Sequence, residues 1–132
     1  MSGHGAFSEM KLDIVRILKK VPPGRVITYG SIAKFLTISP RHVSFILAGF
    51  SVAESKELPW HRVVGANGWI KKDQKSGVER QASMLRKEGV QCRNHRLDLS
   101  KYEVDIRDLK TGLRGGRNFK EAALRKSSKA AP

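Results

Sequence analysis

Ser31-Ile32-Ala33-Lys34-Phe35-Leu36-Thr37-Ile38-Ser39-Pro40-Arg41-His42-Val43-Ser44-Phe45-Ile46-Leu47-Ala48-Gly49 is the stretch that decides the fold. Ile32, Ala33 and Leu36 recur at helical spacing and predict a short helix over Ser31 to Leu36. Ser39-Pro40 predicts a second start. A serine side chain can accept a hydrogen bond from the first turn, and proline costs nothing at the first helical position, where its N–H would be unused. Val43, Ile46 and Leu47 then give the buried side of a helix over Pro40 to Ala48, with Gly49 as its stop. Two short helices joined by a tight turn form a helix-turn-helix, a pattern shared by many proteins.

Upstream, apolar residues at Phe7, Met10, Ile14, Ile17, Leu18 and Val21 line one face of a helix that Pro22-Pro23-Gly24 terminates. Arg25 to Tyr29 reads as a short extended lead into the helix pair. Downstream, Phe50 to Leu58 reads as a loop. Val63-Val64, then Gly65-Ala66-Asn67-Gly68, then Trp69-Ile70 reads as a hairpin turned at Asn-Gly. A fourth helix is expected from Ser76, capped by Ser76 and Glu79, burying Val78, Ala82 and Leu85 and ending at Gly89. Val90 to Ile106 alternates in places and suggests extended segments or a small wing. The fold class implied is mainly α with a small β-hairpin. Residues 1–109 form one domain, and residues 110–132, with seven basic side chains against Glu121 alone, form a flexible basic tail.

Lys and Arg number 26 against 12 Asp and Glu, a net charge of +14 that attracts polyanions. DNA and RNA lead, with anionic membrane surfaces and acidic proteins as the alternatives. The opening MSGHGAFSEMKLDIV contains no long apolar run, so neither a signal peptide nor a membrane span is expected. Cys92 is the sole cysteine, which excludes an internal disulfide and favours a reducing, intracellular setting. His4, His42 and His95 have no metal-ligand spacing, and no phosphate-binding glycine loop occurs. Neither a metal nor a cofactor is expected.

Pro59-Trp60-His61-Arg62-Val63 resembles the Pro-Cys-His-Arg-Val signature of O6-alkylguanine-DNA alkyltransferases, with tryptophan in place of the cysteine, and so looks like the alkyltransferase-like proteins of that family. Three further blocks agree in order: Val21 to Gly30, Pro40 to Val43, and Gln81 through Leu85 to Glu88-Gly89-Val90. The resemblance implies a winged helix-turn-helix that binds duplex DNA through the minor groove. It implies no catalysis, because alkyl transfer needs a thiolate and an indole offers no comparable nucleophile. Trp60, with Tyr29 and Val63, would form a lesion pocket, Val63 through its backbone carbonyl. Arg41 would fill the gap left by a flipped nucleotide while Tyr29 rotates the backbone. Ser39, Arg41, His42 and Ser44 would contact DNA. His61 and Glu88, a relay that activates the cysteine in the enzymes, would only brace the loop. The implied partners are DNA containing O6-alkylguanine and nucleotide excision repair proteins, met as a monomer in a nucleoid or nucleus.

Two departures bear on the pocket. The asparagine that usually follows the recognition helix corresponds to a position near Phe50, and the tyrosine after the hairpin is missing between Trp69 and Gly77. A roomier pocket is the expectation. Two other readings stand beside this one: a helix-turn-helix transcription regulator, and an active alkyltransferase using Cys92 or another nucleophile.

Overall fold

The structure, a computed structural model, describes residues 2–70 and 77–113. Ser76, and with it the expected cap to Glu79, lies outside the described residues, as do the side-chain burial of Val78 and the tail from residue 114.

The chain runs α1 (Ser2–Lys20), β1 (Ile27–Thr28), α2 (Tyr29–Leu36), α3 (Pro40–Ala48), α4 (Val52–Glu57), β2 (Val63–Val64), α5 (Gly77–Lys87), β3 (Cys92–Arg93), β4 (Arg96–Leu97) and α6 (Leu99–Tyr102). Short 3-10 turns occupy Trp60–Arg62, Ala66–Gly68 and Ile106–Asp108. The mainly helical class with a small amount of β-structure matches the expectation from sequence.

The helix-turn-helix follows its local signals. Thr28 caps α2 by accepting from the Ser31 N–H at 3.0 Å. Ser39 caps α3 by accepting from the His42 N–H at 3.2 Å, with Pro40 in the first turn. Between the helices the chain reverses through Thr37 at φ 59°, and the Ile38 N–H reaches back to the Ala33 carbonyl at 2.9 Å. Ile32, Ala33, Leu36, Val43 and Ile46 are buried against Ile14, Ile17 and Leu18 of α1. Burial of each such aliphatic side chain contributes about 1.5–3 kcal/mol relative to exposure. Leu47, expected in the core, is half-buried at its edge.

β1 and β2 pair in parallel, with Ile27 opposite Val63 and Thr28 opposite Val64. Alternation along a strand sends successive side chains to opposite faces. Ile27 and Val63 accordingly enter the main core with α1, α2 and α3, while Val26 and Val64 enter a second cluster with Ile70, Ala82, Leu85, Val90 and Leu97. Leu109 and Leu113 rest on the main core, so packing continues into the first residues assigned to the tail.

Two expectations are corrected. Phe50 to Leu58 is not all loop: α4 occupies Val52–Glu57, started by a capping box in which the Ser51 hydroxyl accepts from the Glu54 N–H and the Glu54 carboxylate from the Ser51 N–H. Asn67-Gly68 does reverse the chain, with positive φ at both residues and a Gly65 N–H to Trp69 carbonyl bond of 2.6 Å. Its two arms take other partners, however, with Val63–Val64 on β1 and Trp69 bridging antiparallel to Arg96. The Asn-Gly signal specifies a turn and leaves strand partners to long-range packing. The antiparallel hairpin is β3–β4, turned at Asn94 and His95 with φ 53° and 61°, the positive values that a tight type I′ turn requires. Gly68 is the position where that hairpin presses closest, since a Cβ there would collide with the Leu97 carbonyl.

Candidate nucleic-acid interface

The buried strand β2 places the Trp60–Arg62 turn between the end of α4 and the face of α5. Trp60 sits half-buried at the start of that turn. Its indole Nε1–H donates to the Ser55 carbonyl of α4 at 3.1 Å, which fixes the ring plane. The His61 ring stands edge-on to it, 6.3 Å between centroids at 87°, and the Arg80 guanidinium of α5 lies 5.7 Å from its centroid. The α4 helix, standing where a loop is expected from sequence, thus supplies the hydrogen bond that positions Trp60. The readable signal for it is the Ser51-x-x-Glu54 spacing.

Beneath Trp60 lies a charged cluster gathered from distant segments. The His61 Nε2 is 2.9 Å from Glu88 Oε2, and Arg62 donates to the same carboxylate from Nε at 3.0 Å and from Nη2 at 2.6 Å. Arg62 Nη1 also donates to the Val21 carbonyl at 2.8 Å. The Gly24 N–H completes the set at 3.1 Å from Glu88 Oε1. Gly24 takes φ 83°, and a Cβ there would approach the Glu88 carbonyl to 3.2 Å, so Pro22-Pro23-Gly24 both ends α1 and aims this N–H. The side chains of His61, Arg62 and Glu88 are 8%, 14% and 15% exposed.

Burial of the Glu88 carboxyl works to raise its pKa. The hydrogen bonds from Arg62, His61 and the Gly24 N–H outweigh that effect and hold it at about 2. Glu88 is therefore ionised and only accepts, so His61 carries a proton on Nε2. His61 Nδ1 is left as a buried nitrogen without a hydrogen-bond partner among the described residues. Arg62 is the principal partner of Glu88.

Gln81 is the residue whose role sequence reading missed. Its buried side-chain Nε2 donates to the His61 carbonyl at 3.0 Å and to the Val63 carbonyl at 2.9 Å. It holds the backbone of the signature segment from the α5 side. The Val63 side chain is fully buried in the main core, so only its carbonyl is available to a pocket, and that carbonyl already accepts one bond. Gln81→Ala removes both bonds and leaves two interior carbonyls short of a donor. We expect it to cost about 1–3 kcal/mol, read as a lower midpoint in urea with an unchanged slope.

The helix-turn-helix residues are carried by α2, α3 and the turn between them. Tyr29 opens α2, half-buried against the main core, and burial raises its hydroxyl pKa, so it remains a neutral donor. Arg41 is exposed in the first turn of α3. Ser39 is engaged in capping, and the His42 Nδ1 lies 3.1 Å from its hydroxyl. Ser44 is half-buried on the same helix. Cys92 lies in the β3–β4 hairpin, packed against the second cluster. Desolvation raises its pKa and so disfavours the thiolate that alkyl transfer needs, an effect that the nearby Arg86 partly offsets. Among the described residues no group of three or more His, Cys, Asp or Glu could hold a metal ion, and no helix is long and apolar enough to cross a membrane.

The chain's relatives carry the same architecture. Residues 9–90 match the family described as 6-O-methylguanine DNA methyltransferase, DNA binding domain. Alkyltransferase-like protein 1 of Schizosaccharomyces pombe is 31% identical over 88 residues, covering 66% of this chain and 80% of that protein. The DNA base-flipping protein of Vibrio parahaemolyticus is 32% identical over 95 residues, covering 70% of this chain and 92% of that protein. The crystal structure of the Schizosaccharomyces pombe protein in complex with damaged DNA containing O6-carboxymethylguanine superposes with a TM-score of 0.67 at 28% identity, covering 74% of this chain and 95% of that one. With Trp60 in place of the nucleophilic cysteine, this chain belongs to the O6-alkylguanine-DNA alkyltransferase family as one of its non-catalytic, alkyltransferase-like members.

Proposed function

We propose that this chain recognises O6-alkylguanine in duplex DNA by flipping the damaged nucleotide, without removing the alkyl group. The observation that carries the reading is Trp60 itself: an indole, held by the Ser55 carbonyl, at the position of the family's nucleophile. It offers a flat apolar wall to a base or its alkyl group and no sulfur to accept one. The braced His61–Arg62–Glu88 cluster supports the role of a rigid pocket floor. Arg41, exposed at the start of α3, would enter the minor groove and fill the vacated stack. Tyr29, at the start of α2, would press on the phosphate beside the flipped nucleotide. The bound lesion would then be passed to nucleotide excision repair, the chain acting as a monomer.

The test pairs duplexes that differ only in guanine or O6-methylguanine, titrated at several salt concentrations. Tighter binding to the lesion, with the lesion intact and no methyl mass added to the protein, is the expected result. Equal affinity for the two duplexes, or a methyl adduct on the protein, overturns the reading.

Residues 110–132 are proposed as a basic tail that neutralises further phosphates. Ending the chain after Leu113, which keeps Leu109 and Leu113 on the main core, is expected to weaken binding to both duplexes alike and to flatten the salt slope, by about 0.9 for each phosphate that the shortened chain leaves unneutralised.

A further inference from the structure

The face of α3 that carries Arg41 carries an aromatic ring one turn further on. Phe45 is 67% exposed, while Val43 and Ile46 of the same helix are buried. Positions four apart share one face of a helix, about 6 Å apart along its axis. Phe45 therefore meets whatever surface Arg41 meets. Its ring is also held in place: Phe7 of α1, 38% exposed, packs edge-on against it, with centroids 5.8 Å apart at 80°. A single exposed apolar residue needs no explanation. An exposed phenylalanine braced by a second ring, beside the arginine that opens the recognition helix, does.

We infer that Phe45 is an apolar wedge that enters the minor groove beside the flipped nucleotide, with Phe7 fixing its ring. The inference rests on the proposed function, which turns this face of α3 toward DNA. The minor groove of B-DNA is about 6 Å wide, too narrow for a helix about 10 Å across unless the groove opens. Apolar side chains that enter it part neighbouring base pairs and bend the duplex toward the major groove. Flipping one nucleotide has already broken the stack there, so the adjoining step is the easiest to part. With α3 lying along the groove, an axial offset of about 6 Å against a rise of about 3.4 Å per base pair would set the ring roughly one to two base pairs from the gap. Arg41 and the net charge of +14 supply the attraction to phosphate that the wedge lacks.

The test uses the full chain and duplexes containing O6-methylguanine, with 2-aminopurine placed one or two base pairs to either side of the lesion. Wild-type protein should brighten one of these probes as the wedge parts its step. Phe45→Ala should abolish that signal and weaken binding about tenfold, a loss of about 1.4 kcal/mol, while Phe45→Trp retains both. Phe7→Ala should fall between. Because Phe45 is exposed, Phe45→Ala should melt like wild type; if it does not, Phe45→Ser at matched folded fraction serves in its place. Unchanged probe fluorescence and affinity in the alanine variant would overturn the inference. That is also the outcome if the two rings dock a repair protein, since DNA readouts would then stay put. Lesion preference in the wild type is read in the same titrations, so failure of the proposed function shows as equal binding of guanine and O6-methylguanine duplexes, separately from any effect of Phe45.

Discussion

Glu88→Gln is expected to destabilise the fold by about 3 kcal/mol, a fall in Tm on the order of 10 °C. The carboxylate receives bonds from Arg62, His61 and the Gly24 N–H, and Arg62 is only 14% exposed on its side chain. A neutral amide keeps the shape but leaves the guanidinium without its counter-charge in a poorly solvated site, and removing one member of such a pair costs far more than the intact pair contributes. The pH dependence follows from the same carboxyl. Its pKa falls from an ordinary value near 4.5 to about 2 on folding. The stability it contributes is therefore fully present above pH 4.5 and is lost as pH falls from there through 2. The gap in stability between wild type and Glu88→Gln should narrow over that window in urea titrations. A constant gap would mean that the cluster holds the loop by shape and not by charge. Because the cluster floors the turn that bears Trp60, lesion binding should weaken in the folded variant as well.

Arg41→Ala carries the second large effect, on binding. If Arg41 fills the space left by a flipped nucleotide, its loss leaves an unfilled gap and an unpaired partner base. Affinity for O6-methylguanine DNA should then fall on the order of 10- to 100-fold, about 1.4–2.8 kcal/mol. Affinity for the undamaged duplex should fall much less, so the ratio between them shrinks. An arginine that merely touched phosphate would weaken both duplexes equally and lower the salt slope by about one unit. The two roles are separated by the ratio, measured at fixed salt. Arg41 is exposed on the first turn of α3, away from the core residues Val43 and Ile46, so the variant should melt with the wild type.

The sequence by itself determined what depends on neighbours within a turn or two. The Thr28, Ser39 and Ser51 caps, the stop at Pro22-Pro23-Gly24, the stripe along α1 and the reversal at Asn67-Gly68 are all written in short spacings. Even α4, read as loop, had its start spelled out in Ser51 and Glu54. The tryptophan at position 60, where the family signature has its cysteine, is equally legible in the sequence, and it removes a thiolate from that position because no fold can make an indole one.

The tertiary structure decided which distant segments meet. Nothing near Val63 specifies a parallel partner at Ile27, since Val63 and Val64 are both apolar and only the two cores fix the register. Nothing near Glu88 specifies Gly24, 64 positions away, or Arg62, 26 positions away. Gln81 reads as an ordinary helix residue until the packing of α5 aims its amide at the carbonyls of His61 and Val63. Local signals act over one or two turns of chain, whereas a buried carboxylate takes whatever donors the folded topology delivers to it. That is why Trp60 and the bracing His61–Glu88 pair were legible from the signature blocks, and why the Gly24, Arg62 and Gln81 contacts that complete the floor were not.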